Sequence, residues 1–174
     1  VEMGLEVVIV TGDTDGLQLI GPSVSVLTSR KGFSDTILYD VDGVKERYGV
    51  SPDQLVDVKA LKGDASDNIP GVPGIGEKTA IRLVAQYGDL DCIYEHLDDL
   101  PGKLKQQLES NKEQAFFSRK LAKIVVDAPV RLDLESSKVG RADRAKLVEL
   151  FRELGFKSLL DRLPKEWGAG DAGR

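Results

Sequence analysis

One cysteine, one histidine, one methionine and one tryptophan are all that 174 residues contain of those types. Cys92 alone excludes an internal disulfide. With His96 as its only imidazole companion, no Cys/His zinc set can be assembled. Cys92 lies in an apolar helical pattern and reads as a small buried hydrophobe rather than a nucleophile. His96 follows Glu95 on the same expected helix and reads as a surface or helix-end residue, so histidine-dependent catalysis has little support. No apolar run approaches the roughly 18 residues of a spanning helix. The N-terminus also lacks the basic-then-apolar order of a signal peptide. Cationic excess is missing as well. The formal net charge is -5, which argues mildly against indiscriminate nucleic-acid binding.

What is present is enough apolar material for a core, at 41% of residues, and a charge distribution that is uneven along the chain. Residues 1–58 carry 4 basic and 10 acidic side chains, a net of -6, whereas residues 59–125 carry 10 of each. An acidic N-terminal third is either a solvated face or charge that cations neutralise. The run Leu5–Val10 is β-branched and apolar and predicts a strand buried on both faces of a parallel sheet. Such a strand needs neighbours, and the chain opens on Val1 rather than methionine. The expectation is therefore the C-terminal part of a larger domain. Val24–Leu27 and Thr36–Tyr39 predict two further strands joined by a hairpin turn at Arg30-Lys31-Gly32. Helices are expected at Asp42–Tyr48, from Ser51-Pro52 to about Lys62, and at Ile75–Tyr87. Others follow at 91–97, 102–108, 112–124 and 143–154, with a last turn at 158–163. Residues 167–174 are glycine-rich and read as disordered. The fold class is α/β: the end of a mostly parallel sheet followed by helices. Boundaries are expected at 1–62 for the α/β part, 63–164 for the helical part and 165–174 for a tail.

Two kinds of chemistry meet in the stretch from Gly63 to Ala80. Asp64 and Asp67 are three residues apart and share a face on a helical turn. Asp13 and Asp15 stand just past the first strand, two residues apart, and point the same way where the chain is extended. Four clustered carboxylates repel one another unless a cation intervenes, and hard oxygen ligands suit Mg²⁺ or Mn²⁺. Taken singly, Asp13 reads equally well as a helix N-cap, and Asp64 and Asp67 as cap or turn residues. Beyond them, Gly74-Ile75-Gly76 opens a helix whose free N–H groups suit a phosphate, with Lys78 and Arg82 adding charge. Contacts of that type hold a sugar–phosphate backbone without reading bases. The alternative is an ordinary loop into a helix. The spacing does not fit a nucleotide P-loop, and no strand immediately precedes the turn as a dinucleotide fingerprint requires. Lys103, Lys105, Lys112, Arg119, Lys120 and Lys123 read as a solvated face ahead of a second backbone contact, and Phe116 and Phe117 as core.

Thr11-Gly12-Asp13-Thr14-Asp15-Gly16-Leu17-Gln18-Leu19, followed by Leu61 to Ala80, resembles the 5′-3′ exonuclease domain of bacterial DNA polymerase I, in the flap-endonuclease superfamily. The resemblance runs from about Leu5 to Pro164. It implies a PIN-like 5′-nuclease sheet and a two-metal phosphodiesterase. Asp13, Asp15, Asp64 and Asp67 would be metal ligands and catalytic residues. Gly74, Ile75, Gly76, Lys78, Thr79 and Arg82 would form a helix–hairpin–helix grip on duplex DNA, with K⁺ at the turn. Substrates would be 5′ flaps, nicks and RNA primer ends, in the bacterial cytoplasm at the nucleoid. The resemblance also implies an N-terminal half carrying the first metal site and a threading arch, and a polymerase domain as a covalent partner. Two other classes compete. One is a helix–hairpin–helix module that binds duplex DNA without cutting. The other is a small-molecule phosphohydrolase, which the hairpin disfavours.

Overall fold

The computed structural model describes residues 4–29, 35–138, 143–164 and Trp167. The chain separates into two compact units, Val1–Val126 and Asp127–Arg174; the expected boundary at residue 62 lies inside the first. Among the described residues three strands form one sheet in the order β1 (Val7–Val10), β2 (Val24–Ser29), β3 (Thr36–Tyr39). β1 runs parallel to β2, with Val7 opposite Val24, and β2 runs antiparallel to β3. The hairpin turn read at Arg30-Lys31-Gly32 lies outside the described residues, as does nearly all of the expected tail.

The first strand departs from expectation. It was expected to be buried on both faces, but it is an edge of this sheet, with Val8 54% and Val10 75% exposed. β-Branched composition selects the strand conformation, whereas burial requires a layer on each face. Among the described residues only one face is packed, on Leu17, Ile20, Val26, Tyr39 and Val44.

α1 (Val41–Tyr48) follows β3 directly. Asp40 caps it by accepting from the Gly43 N–H at 2.8 Å. A single 3-10 turn at Pro52–Gln54 then leads into α2 (Leu55–Lys62). Ser51 and Gln54 form a reciprocal capping box at that turn, which explains why the helix starts there. From α2 onward the described part of the first unit is helical: α3 (Glu77–Tyr87), α4 (Leu90–Glu95), α5 (Gly102–Ser110) and α6 (Lys112–Ala122). Their apolar faces bury Val58, Leu61, Val72, Ile75, Leu83, Val84, Leu90, Ile93 and Leu108 in a second core. Tyr48 and Leu55 flank both cores and join them.

Two polar anchors register the helices. Arg119 on α6 reaches buried Asp57 on α2 at 3.5 Å and Asp91 on α4 at 2.6 Å. Burial raises the Asp57 pKa, and the Arg119 charge opposes that rise. Tyr94 packs against Phe116 at 5.3 Å between ring centroids and donates its hydroxyl to the Leu108 carbonyl at 3.0 Å. Burial pushes the Tyr94 phenol up to about 12. A raised folded-state pKa stabilises the protein below the unfolded value, near 10, and that stability disappears as pH climbs through the folded value. The melting temperature is therefore expected to fall between pH 10 and pH 12, and Tyr94→Phe to flatten that fall. An equal slope in the variant would place the titration elsewhere.

In the second unit, α7 (Arg144–Glu153) is capped by Asp143, which accepts from the Ala145 and Lys146 N–H groups. α8 (Lys157–Leu160) follows Gly155, and Phe151 meets Phe156 edge-on at 6.1 Å. Cys92 is half-buried and His96 is exposed. Among the described residues no helix is long and apolar enough to cross a membrane.

Candidate metal centre and phosphate-binding turn

The site begins where β1 ends. Thr11 Oγ1 accepts from the Asp13 N–H at 3.0 Å, and Asp13 Oδ1 accepts from the Asp15 N–H at 2.9 Å. Asp13 is thus the N-cap of the 3-10 turn Thr14–Leu19. That turn carries Asp15 toward α2.

The second contribution comes from the end of α2. Gly63 stops the helix at φ +76°, and the chain closes a tight loop in which Asp64 and Ile69 exchange backbone hydrogen bonds of 2.9 and 2.8 Å. Asn68 takes φ +56° within it, a conformation that asparagine tolerates better than most side chains. The loop ends at Gly71, with φ +62°, where an added Cβ would lie 2.2 Å from the Gly63 nitrogen. Both glycines are therefore required by the close approach of the two ends. This closure turns Asp64 and Asp67 back toward Asp15. One carboxylate oxygen from each of the three lies within 4.8 Å of the others.

Lys59, from the last turn of α2, stands among them. Its ammonium contacts Asp15 Oδ1, lies 2.7 Å from Asp64 Oδ2 and 3.8 Å from Asp67 Oδ2. The Lys59 bond and the Ser66 hydroxyl hold the Asp64 carboxyl well below the usual carboxylate range. Burial opposes the charge on Lys59, but its bonds to Asp15 and Asp64 raise its pKa. The donor set fits a hard divalent cation, with Lys59 as its counter-charge in the metal-free state. It offers three converging carboxylates, and their spread of no more than 4.8 Å suits one shared cation. Asp13 is not one of the three, and its Oδ1 accepts from its own turn.

From Gly71 the chain runs through Val72, whose N–H donates to Leu61 O at 2.7 Å, to Ile75, whose N–H donates to Val72 O at 3.0 Å. Val72 and Ile75 are buried. Ile75 therefore anchors the turn with its side chain and offers a ligand only backbone. Gly74 and Gly76 are exposed. Gly76 caps α3 without a side-chain bond, which leaves first-turn N–H groups open to an anion. Lys78 and Arg82 are exposed one turn apart, and neither enters an ion pair among the described residues. Thr79 is half-buried. Glu77 is exposed at the same helix end and lies 3.6 Å from Lys62.

Sequence reasoning missed Lys59 and the residues that brace the turn: Gln107, Gln114 and Ser118. A signal for Ser118 existed. Ala115, Ser118 and Ala122 form a stripe of small residues that lets backbone approach α6 closely. Lys59 had no comparable signal, being one of two lysines in the last turn of α2.

The arrangement is a strand-end carboxylate cluster joined by one loop to a helix-opening turn, and similarity to known proteins places it in a family. A family model described as 5′-3′ exonuclease, C-terminal SAM fold, matches residues 50–145, and the chain belongs to that family. The chain is 47% identical over 161 residues to DNA polymerase I of Bacillus caldotenax, covering 92% of this chain and 18% of that protein. It is 43% identical over 164 residues to DNA polymerase I of Bacillus subtilis (strain 168), covering 94% and 19%. The chain thus spans less than a fifth of the length of these relatives. Among solved structures it resembles a bacteriophage T5 flap endonuclease variant in complex with DNA and metal ions, at a TM-score of 0.61 and 28% identity, covering 70% of this chain and 44% of that one. It also resembles T5 5′-exonuclease with zinc bound, at a TM-score of 0.58 and 30% identity, covering 67% and 42%. The expected resemblance and fold class agree with these matches.

Proposed function

We propose that this chain belongs to a structure-specific 5′-3′ exonuclease and flap endonuclease that hydrolyses DNA phosphodiesters with two divalent cations. One observation carries the reading. A single loop, 63–76, bears Asp64 and Asp67 at one end and an open helix start at the other. Asp15, Asp64 and Asp67 hold a cation, Mg²⁺ or Mn²⁺, and Asp13 completes the set from its cap position. When bound, divalent cations neutralise charge at the phosphate and lower the pKa of the attacking water. The remaining work falls to the chain itself. Gly74–Gly76 and the first turn of α3 receive a backbone phosphate, with K⁺ at the turn. Lys78, Thr79 and Arg82 hold the strand, and Lys59 balances the carboxylates between cation-bound states. Duplex DNA with a 5′ flap, a nick or an RNA primer end is the partner. The first metal site and a linked polymerase domain belong to the longer polypeptide implied by the relatives.

The test is a salt titration of labelled duplex DNA against this chain. Binding should weaken linearly with the logarithm of salt, at a slope of about -0.9 per phosphate contact. Lys78→Ala with Arg82→Ala should reduce the slope by about 2. A flat response in the unaltered chain would overturn the grip. A second reading, a duplex-binding module that does not cut, is favoured by Lys59, which compensates the carboxylates without any metal. Duplex binding that persists in EDTA, with no cleavage of a 5′-flap substrate by the longer polypeptide in Mn²⁺, would support that reading.

A further inference from the structure

Gly71 is where the carboxylate loop ends and the phosphate-binding turn begins, and α6 holds both of its backbone polar groups. The Gly71 N–H donates to Ser118 Oγ at 3.1 Å, and Ser118 is fully buried. The Gly71 carbonyl accepts from Gln114 Nε2 at 2.6 Å. Two residues further, the Pro73 carbonyl accepts from Gln107 Nε2 of α5 at 3.3 Å. On its other side Gly71 abuts the Gly63 backbone, which closes the loop that presents Asp64 and Asp67. Every neighbour of this residue restricts it. Without the two α6 side chains, a backbone N–H and C=O would face the packed contact unpaired, and such groups reorient or take up water.

None of these groups touches the carboxylates or the exposed face of α3, yet together they determine how one sits against the other. We infer that Ser118 and Gln114 are positioning residues. They lock Gly71 so that a cation at Asp15, Asp64 and Asp67 and a duplex at Gly76–Arg82 bind as a coupled pair. This rests on the function proposed above. A loop held at Gly71 moves as one body, so the shift that a cation imposes on Asp64 and Asp67 is carried to the turn and favours the orientation that the second site requires. A loop free at Gly71 leaves each site intact but lets the turn swing independently, and the coupling disappears. By linkage, whatever factor Mn²⁺ adds to duplex affinity, duplex adds to Mn²⁺ affinity.

The experiment measures duplex affinity by fluorescence anisotropy in EDTA and in Mn²⁺, and Mn²⁺ affinity by calorimetry with and without duplex. It uses the full chain, Gln114→Met and Ser118→Ala. In the unaltered chain Mn²⁺ should strengthen duplex binding by at least about 5-fold, the lower end of ordinary site coupling. In both variants the factor should fall below about 2, while each site alone stays within about 3-fold of its original affinity. Gln114 is only half-buried, so Gln114→Met carries the test if Ser118→Ala does not fold. If the unaltered chain binds neither Mn²⁺ nor duplex, the proposed function fails. If it binds both without coupling, or if Gln114→Met keeps the full coupling, the positioning role fails and the function stands.

Discussion

Replacing Asp64 and Asp67 together with asparagine is expected to lower Mn²⁺ affinity by about 100-fold, since affinity for hard cations follows the charge count of the ligands. Calorimetric titration of the chain reads this directly. The variant leaves Asp15 as the only charge in the trio, facing a Lys59 ammonium that was shared among three carboxylates. The metal-free protein should therefore also become less stable, because a half-desolvated ammonium loses two of its three partners. The pH dependence separates this from a general packing defect. Asp64 has a depressed pKa in the folded state. Its contribution is complete above the unfolded value, near 3.9, and is lost as pH falls toward the lower folded value. The unaltered chain should lose melting temperature on acidification below about pH 4, and the variant should lose less over the same range. Unchanged Mn²⁺ affinity would remove Asp64 and Asp67 from the site.

Gly71→Ala should have the largest effect on stability. The new methyl would lie 2.2 Å from Gly63 N and 2.6 Å from Gly63 Cα, contacts with backbone that cannot rotate away. A left-handed φ of +62° adds about 1–2 kcal/mol for any residue with a Cβ. Forcing an extra carbon into packed surroundings costs about 1–3 kcal/mol more. A loss of roughly 3 kcal/mol corresponds to a melting temperature lower by about 10 °C in a domain of this size. Gly76→Ala is the control. Its Cβ meets nothing within 4 Å and its φ is −91°, so only the weaker N-cap preference of alanine remains and its thermal midpoint should fall far less. If the two variants melt together, the closed loop between Gly63 and Gly71 is not what holds this region.

These outcomes depend on residues of very different legibility. The helix starts were written locally. Asp40 and Asp143 cap α1 and α7, and Ser51 with Gln54 opens the turn into α2, each through a bond spanning two or three residues. Asp64 and Asp67 could be suspected from their spacing, and the helix-opening turn from its glycines. Burial of β1 could not be read, because the same β-branched run suits an edge as well as a central position. Asp13 was readable in two ways, and the structure engages it as the cap of its own turn.

By itself the sequence determined which segments are strands and which are helices, where the helices stop, and which family the chain resembles. Those properties depend on side-chain period, capping bonds and backbone freedom, all of which act over a few residues. Only the tertiary structure decided that Asp15 meets Asp64 and Asp67 across 49 and 52 positions of chain, that Lys59 stands among them, and that Ser118 and Gln114 grip Gly71 from another helix. Such encounters come from the packing of α2 against α6 and from one closed loop, and no local pattern encodes which distant side chain will fill the space that packing leaves.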